Sequence, residues 1–212
     1  MPVDPVTFAA EDLDPNDGYK LLTALVVPRP IGWVGSVGKD GVPNLAPFSF
    51  FNVVCPTPPT VIFAPTGQPG VRKDTLVNVE RTGEFTLSTV TAEVLDAMNA
   101  TAVDAPSDVS EFEVAGLTPV YGDVVAAPYV AEAKAAMECR VTRIVDVGRA
   151  PMASRVAFGE VVRFHVSGAL VDGTRIDQDA LRGVGRHAGG AYTIAEPIIS
   201  RARPAWDAGA AG

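Results

Sequence analysis

Apolar and polar positions along this chain change over in short runs, the rhythm of strands rather than of long helices. Leu21 to Val27 is apolar, and Ile31 to Val37 reads as a buried strand. Asp40-Gly41 then gives a hairpin signal. Val42 to Asn52 returns as a second extended segment, in which Pro43 and Pro47 mark an edge or bulged strand. Pro56 to Pro59 is a turn, Thr60 to Ala64 a short apolar strand, and Pro65 to Gly70 a Gly/Pro-rich loop. Asp74 or Thr75 is positioned to cap a short helix whose apolar stripe is Leu76 and Val79, with Val77 beside it, and Gly83 is placed to stop it.

Phe85 to Val90 is again extended. Thr91 is placed to cap a second helix, Ala92 to Asn99, with Leu95 and Met98 on one face. Residues 101–111 form a polar loop. Two longer strands then alternate. Met137, Cys139, Val141, Val145 and Val147 point one way in the first, and Val156, Phe158, Val162, Phe164 and Val166 point one way in the second. Arg149-Ala150-Pro151 falls between them. Asp172-Gly173 marks another turn, and Asp177 or Asp179 opens a last short helix before Gly183. Few strands are followed by a helix, so a parallel βαβ arrangement is excluded. The pattern predicts a mainly β fold, an antiparallel barrel with Greek-key topology and a few peripheral short helices. Residues 1–19 read as a polar lead-in, 20–200 as one domain and 201–212 as a tail.

Charge and composition narrow the function. The 212 residues carry a formal net charge of -8, which speaks against nucleic acid or an anionic membrane surface as partner. No run approaches the roughly 20 apolar residues of a spanning helix. The acidic start, MPVDPVTFAAEDLDP, is unlike a signal peptide, so a cytoplasmic protein is expected. Cys55 and Cys139 read as reduced thiols. With only His165 and His187, the chain has no HExxH motif and no closed zinc set, so no metal site is expected. It has no GxSxG elbow and no P-loop either. Gly183-Val184-Gly185 followed by Gly189 imitates a dinucleotide fingerprint, but it follows a helix signal and leaves too little chain for a βαβ unit.

Four clusters carry chemistry. Arg72-Lys73-Asp74-Thr75 stands where a helix begins. Unpaired N–H groups, two cations and a hydroxyl there suit a phosphate, or simply make a solvated helix start. Arg29, locked between Pro28 and Pro30, is a second cation for an anion, or a surface arginine. Ser49-Phe50-Phe51-Asn52 offers aromatic walls and polar edges to a heteroaromatic ring; alternatively the phenylalanines are core and Asn52 ends a strand. Arg186 to Tyr192 sets a cation, the His187 imidazole and the Tyr192 phenol around Gly189-Gly190, or is a Gly-rich surface loop. Trp33 reads as core.

Taken in order, RPIGWV (29–34), the Asp40-Gly41 turn followed by NLAPFSFFN (44–52), PPTVIF (58–63), KDTLVN (73–78) with TGEF (82–85), and RHAGGAY (186–192) resemble the flavin reductase-like, FMN-binding split-barrel family. The resemblance covers roughly residues 20–195. It implies a split β-barrel that forms a homodimer, with FMN near the interface. It also implies that Arg29, Pro30, Ile31, Ser49, Phe50, Phe51, Asn52, Lys73, Asp74 and Thr75 contact the flavin. Arg29, Lys73 and Thr75 would then meet the phosphate, and Ser49 and Asn52 the ring. Asn99, Arg186, His187 and Tyr192 would face the nicotinamide or substrate. Gly35 departs from the small polar residue more usual in relatives, and Cys55-Pro56-Thr57 varies a segment often containing Ser and Asp. The cofactor carries the redox step in such proteins, so no catalytic side chain is expected. The implied activity is NAD(P)H-dependent reduction of FMN, hydride passing to the flavin N5 and electrons onward to free flavin or a partner monooxygenase. The alternatives are a flavoredoxin-like electron carrier reduced by another protein, a non-catalytic flavin-binding module, and reduction of a small organic substrate in a pocket lined by Asn99 and residues 100–111.

Overall fold

The structure, a computed structural model, describes residues 4–66 and 72–206. Its strands are β1 (Arg29–Pro30), β2 (Gly32–Val37), β3 (Pro43–Phe48), β4 (Phe51–Pro56), β5 (Pro59–Phe63), β6 (Glu84–Thr89), β7 (Pro119–Tyr121), β8 (Pro128–Val130), β9 (Ala135–Val147), β10 (Ser154–Val166), β11 (Val171–Asp172), β12 (Arg175–Ile176), β13 (Val184–Arg186) and β14 (Tyr192–Ile194). The helices are short: α1 (Pro15–Leu25), α2 (Asp74–Thr82), α3 (Leu95–Ala100), α4 (Glu111–Val114) and α5 (Gln178–Leu181).

Seven strands form one antiparallel sheet in the order β3-β2-β6-β9-β10-β5-β4. Its two edge strands, β3 and β4, are joined by Ser49 and Phe50 alone. Such a link reaches only about 10 Å, so the sheet must curl until its edges meet. The result is a split barrel whose seam is the Ser49-Phe50 bend. Pro43 and Pro47 lie on the edge strand β3, where missing N–H groups cost no ladder bond. A small second sheet, β1-β13-β14, brings the Arg186 segment beside Arg29.

Two cores flank the sheet. Val34, Phe63, Phe85, Leu87, Cys139 and Val161 fill the barrel, and Val79 of α2 joins them. Ile31, Trp33, Leu45, Met98, Phe112 and Val130 form a second cluster. Trp33 is fully buried, its indole N–H donating to Thr101 Oγ1 at 2.9 Å. Both cysteines are free thiols, and burial pushes the Cys139 thiol well above its ordinary value.

Four features differ from the sequence reading. Residues 15–25 are helical, started by Pro15 at N1 and an Asp14 side chain that accepts from the Asn16 N–H. The second expected helix is broken into a 3-10 turn, Ala92–Val94, and α3, and Thr91 caps it without a side-chain bond. The chain between Val42 and Asn52 is two strands, because the bend at the seam intervenes. The inward face of β10 is Ala157, Gly159 and Val161, not Val156, Phe158 and Phe164. The two-residue period holds from Ala157 to Val161, with the smaller residues inward, and an irregularity at Val161/Arg163 ends it. Small residues are required there, since a Cβ on Gly159 would overlap the Phe85 ring. Phe158 instead lies under the Arg143 guanidinium, and Phe164 is 58% exposed. The departure at Gly35 also has a steric cause: any Cβ would collide with the Pro128 carbonyl and Thr86. Among the described residues, no helix is long and apolar enough to cross a membrane.

Candidate functional site

Two clefts adjoin through Pro47 and Ala102, which line both. The smaller, about 310 Å³, lies beside the seam and is walled by Tyr19, Ile31, Met98 and Tyr192, with Arg29, Ser49, Arg186 and His187 as its polar members. The larger, about 670 Å³, lies at the start of α2 and carries Arg72, Lys73, Asp74 and Thr75 on one side, Asn44 and Glu111 on another. The smaller cleft is aromatic-walled with two arginines and no carboxylate in its lining, and the larger sets Arg72 and Lys73 against Asp74, Asp104 and Glu111.

Arg29 holds the smaller cleft together. Its Nη1 donates to the Thr23 and Val26 carbonyls at 2.6 and 2.8 Å, near the C-terminus of α1. Its Nη2 donates to the His187 carbonyl at 3.1 Å and its Nε to Ser49 Oγ at 3.3 Å. A buried guanidinium thus ties α1, the seam and the β13–β14 loop to one point, and it lines the smaller cleft rather than the α2 end. Pro30 pairs with Gly185 across the small sheet, where a Cβ on Gly185 would meet Pro28 at 2.6 Å.

Beside Arg29, across the β1–β13 pair, is a second network. Arg186 donates to the Tyr192 hydroxyl and to the Gly189 carbonyl, and stacks over the Tyr192 ring at 4.5 Å. Tyr192 in turn donates to Asn99 Oδ1 at 3.0 Å. Asn99, 93 residues from Tyr192, is thereby joined with it and Arg186 in one connected edge. The structure does not bring the whole seam segment into the clefts. Phe51 packs so closely on Gly32 that any Cβ there would lie 2.8 Å from its ring, and Phe50 lies against Tyr19. Asn52 falls near the beginning of β4 instead of ending a strand, and its Oδ1 accepts from the Val53 N–H. None of the three lines either cleft.

At the α2 end the cap is Lys73, with Asp74 the first helical residue, and Gly83 closes the helix with φ 71°. Thr75 is buried because its hydroxyl donates to Asn44 Oδ1 at 2.9 Å. Asn44 Oδ1 also accepts from Ser36, and Asn44 Nδ2 donates to Glu111 Oε2 at 2.9 Å. The Thr75 proton is thereby committed to the protein. Both cations have protein partners: Arg72 pairs with Glu80, and Lys73 with Asp104 at 2.6 Å. Lys73 holds the Asp104 carboxyl below the ordinary carboxylate value through that hydrogen bond. Asp104 competes with any incoming anion for Lys73. Asp104→Asn is therefore expected to tighten phosphate-ligand binding by about two- to fivefold, the scale of an exposed ion pair, read by titration. Tyr19 and Met98 carried no functional signal in the sequence, whereas Asn44 lies within the NLAPFSFFN motif and Glu111 ends the 100–111 loop, much of which lines the larger cleft.

A family model described as a flavin reductase like domain matches residues 24–179. An uncharacterized protein of Aquifex aeolicus is 40% identical over 189 residues, 88% of this chain and 94% of the relative. The crystal structure of nitrilotriacetate monooxygenase component B from Bacillus cereus is 36% identical, with a TM-score of 0.90 over 93% of this chain and 98% of that one. That of Pseudomonas fluorescens 2-nitrobenzoate 2-nitroreductase NbaA is 27% identical, with a TM-score of 0.85 over 94% of this chain and 96% of that one.

Proposed function

The chain belongs to the flavin reductase-like family, and on that premise we propose that it is an FMN-binding oxidoreductase that uses NAD(P)H and passes electrons to free flavin or to a partner monooxygenase. The observation that carries this reading is the junction of the two clefts at Pro47 and Ala102. An aromatic-walled space beside an anion-attracting helix start is the donor set a flat ring with a phosphorylated chain requires. Bound FMN supplies the two-electron redox chemistry. Tyr19, Ile31, Met98 and Tyr192 enclose the ring and exclude water, while Ser49 offers a hydroxyl at its edge. Arg72, Lys73 and the first N–H groups of α2 hold the phosphate. Arg29 acts by positioning Ser49 and His187. Asn99, Arg186 and Tyr192 form the rim that receives the nicotinamide.

The protein works as a cytoplasmic homodimer in this reading. Support comes from exposed Val53 and Val54 on the edge strand β4 and exposed Val147 and Phe164 on β9 and β10. Val53 and Val54 make an apolar sheet edge, which calls for cover. The similarity to nitrilotriacetate monooxygenase component B supports the monooxygenase partner. Similarity to NbaA favours a second reading, reduction of a small nitroaromatic compound in the same cleft. Anaerobic mixing of the FMN-loaded protein with NADH or NADPH tests the nicotinamide claim. Bleaching of flavin absorbance is expected with at least one of them. Bleaching with neither, but with a protein reductant, would replace the claim by an electron carrier. Turnover of 2-nitrobenzoate but not of free flavin would favour the second reading.

A further inference from the structure

Glu111 is 5% exposed, yet it lines the larger cleft. Its Oε2 takes two donors, Asn44 Nδ2 and the Leu45 N–H, each at 2.9 Å. Among the described residues nothing donates to Oε1. Oε1 is not sealed inside the protein but opens to the cleft, so its donor is to come from whatever fills the cleft. The neighbouring groups cannot supply it. Asn44 Nδ2 already faces Oε2, the Thr75 proton is turned to Asn44 Oδ1, and the Ser36 hydroxyl is turned to Asn44 Oδ1 as well. This chain of bonds is directional, because a carboxylate can only accept and so orients the Asn44 amide.

The same cleft carries the start of the nine-residue helix α2 with Arg72 and Lys73. Those groups favour an anion, whereas Glu111 disfavours one close by. Only a ligand that presents a hydrogen-bond donor beside its anionic group satisfies both. We infer that Glu111 is a specificity-determining residue that accepts a hydrogen bond from a chain hydroxyl of the ligand, so that the cleft selects a phosphorylated polyol over a bare phosphate or a phosphorylated alkyl chain. This rests on the flavin reading, in which the polyol is the ribityl chain of FMN.

The test compares FMN with a flavin that carries a plain pentyl phosphate chain in place of ribityl phosphate, with affinities read by quenching of flavin fluorescence. Wild type is expected to prefer FMN by at least about tenfold, the scale of a hydrogen bond to a charged acceptor. Glu111→Gln keeps an amide oxygen for Asn44 and Leu45 but turns an NH2 group toward the ligand. The preference should then collapse to about twofold, while inorganic phosphate, read as a competitor of FMN, binds more tightly than to wild type. A preference unchanged by Glu111→Gln overturns the inference while leaving the flavin reading intact. Should that variant fail to fold, the wild-type ratio decides: equal binding of the two flavins overturns the inference without any substitution. Absence of FMN binding to wild type overturns the flavin reading and the inference together.

Discussion

Replacing Arg29 with alanine is expected to destabilise the protein by about 3 kcal/mol or more and to abolish flavin binding in whatever remains folded. The magnitude follows from what the guanidinium satisfies. Three backbone carbonyls and the Ser49 hydroxyl all look to it, and hydrogen bonds to a charged group are worth about 1.5–3 kcal/mol each before the cost of leaving buried acceptors unpaired. Non-additivity keeps the total below the sum. Arg29→Lys retains the charge but has no planar fork, so it recovers part of the stability and little of the geometry. Urea unfolding followed by tryptophan fluorescence reads the first effect, since Trp33, four residues on in β2, is fully buried in the core. A loss under about 1 kcal/mol would mean that water replaces the guanidinium without penalty.

Glu138→Ala is expected to cost about 2–3 kcal/mol at neutral pH, with the loss shrinking in acid. Glu138 is fully buried. Its Oε2 accepts from the Val124 and Val125 N–H groups, both at 2.8 Å, and its Oε1 faces His165 Nε2 at 2.7 Å. Removing the carboxylate orphans two backbone donors and unfastens residues 122–126 from β9. Burial by itself pushes this carboxyl up, but the bonds from His165, Val125 and Val124 outweigh it, so the folded value lies below the ordinary one. A lowered carboxyl contributes stability that is complete above the unfolded value, near about 4.3, and drains away as pH falls through the folded value. Unfolding of wild type and variant at pH 7 and in steps below pH 4 checks this. A difference between them that does not narrow in acid would contradict it.

The local parts of the fold were legible because local chemistry specifies them. The Asp40-Gly41 turn, the proline-marked edge strand β3, the Gly83 stop of α2 and the Asp177 cap of α5 each follow from residues adjacent in sequence. Helix α1 carried its own signal in Asp14-Pro15, but its exposed Leu22 and Leu25 give no core-facing stripe to read. The face of β10 was hidden because its inward positions, Ala157, Gly159 and Val161, hold smaller residues while the bulky Val156 and Phe158 lie on the other side. At the site, the cations of α2 and the Arg186–Tyr192 loop could be read as motifs. The bonds that orient them could not, since Asn44 meets Glu111 67 residues away and Arg29 meets His187 158 residues away. Glu111 ends the 100–111 loop that could be read as a pocket wall, but its bonds to Asn44 and Leu45 come only from the tertiary fold.

The central claim is that the helix start of α2 holds the phosphate of a flavin whose ring lies toward the seam. Parallel titration with FMN and riboflavin, followed by flavin fluorescence, addresses it directly, because the two ligands differ only in the phosphate. FMN is expected to bind at least about tenfold more tightly than riboflavin, and the advantage should vanish in an Arg72→Ala, Lys73→Ala double variant. Equal affinity for the two flavins in wild type, or an advantage that survives the double substitution, would contradict the account.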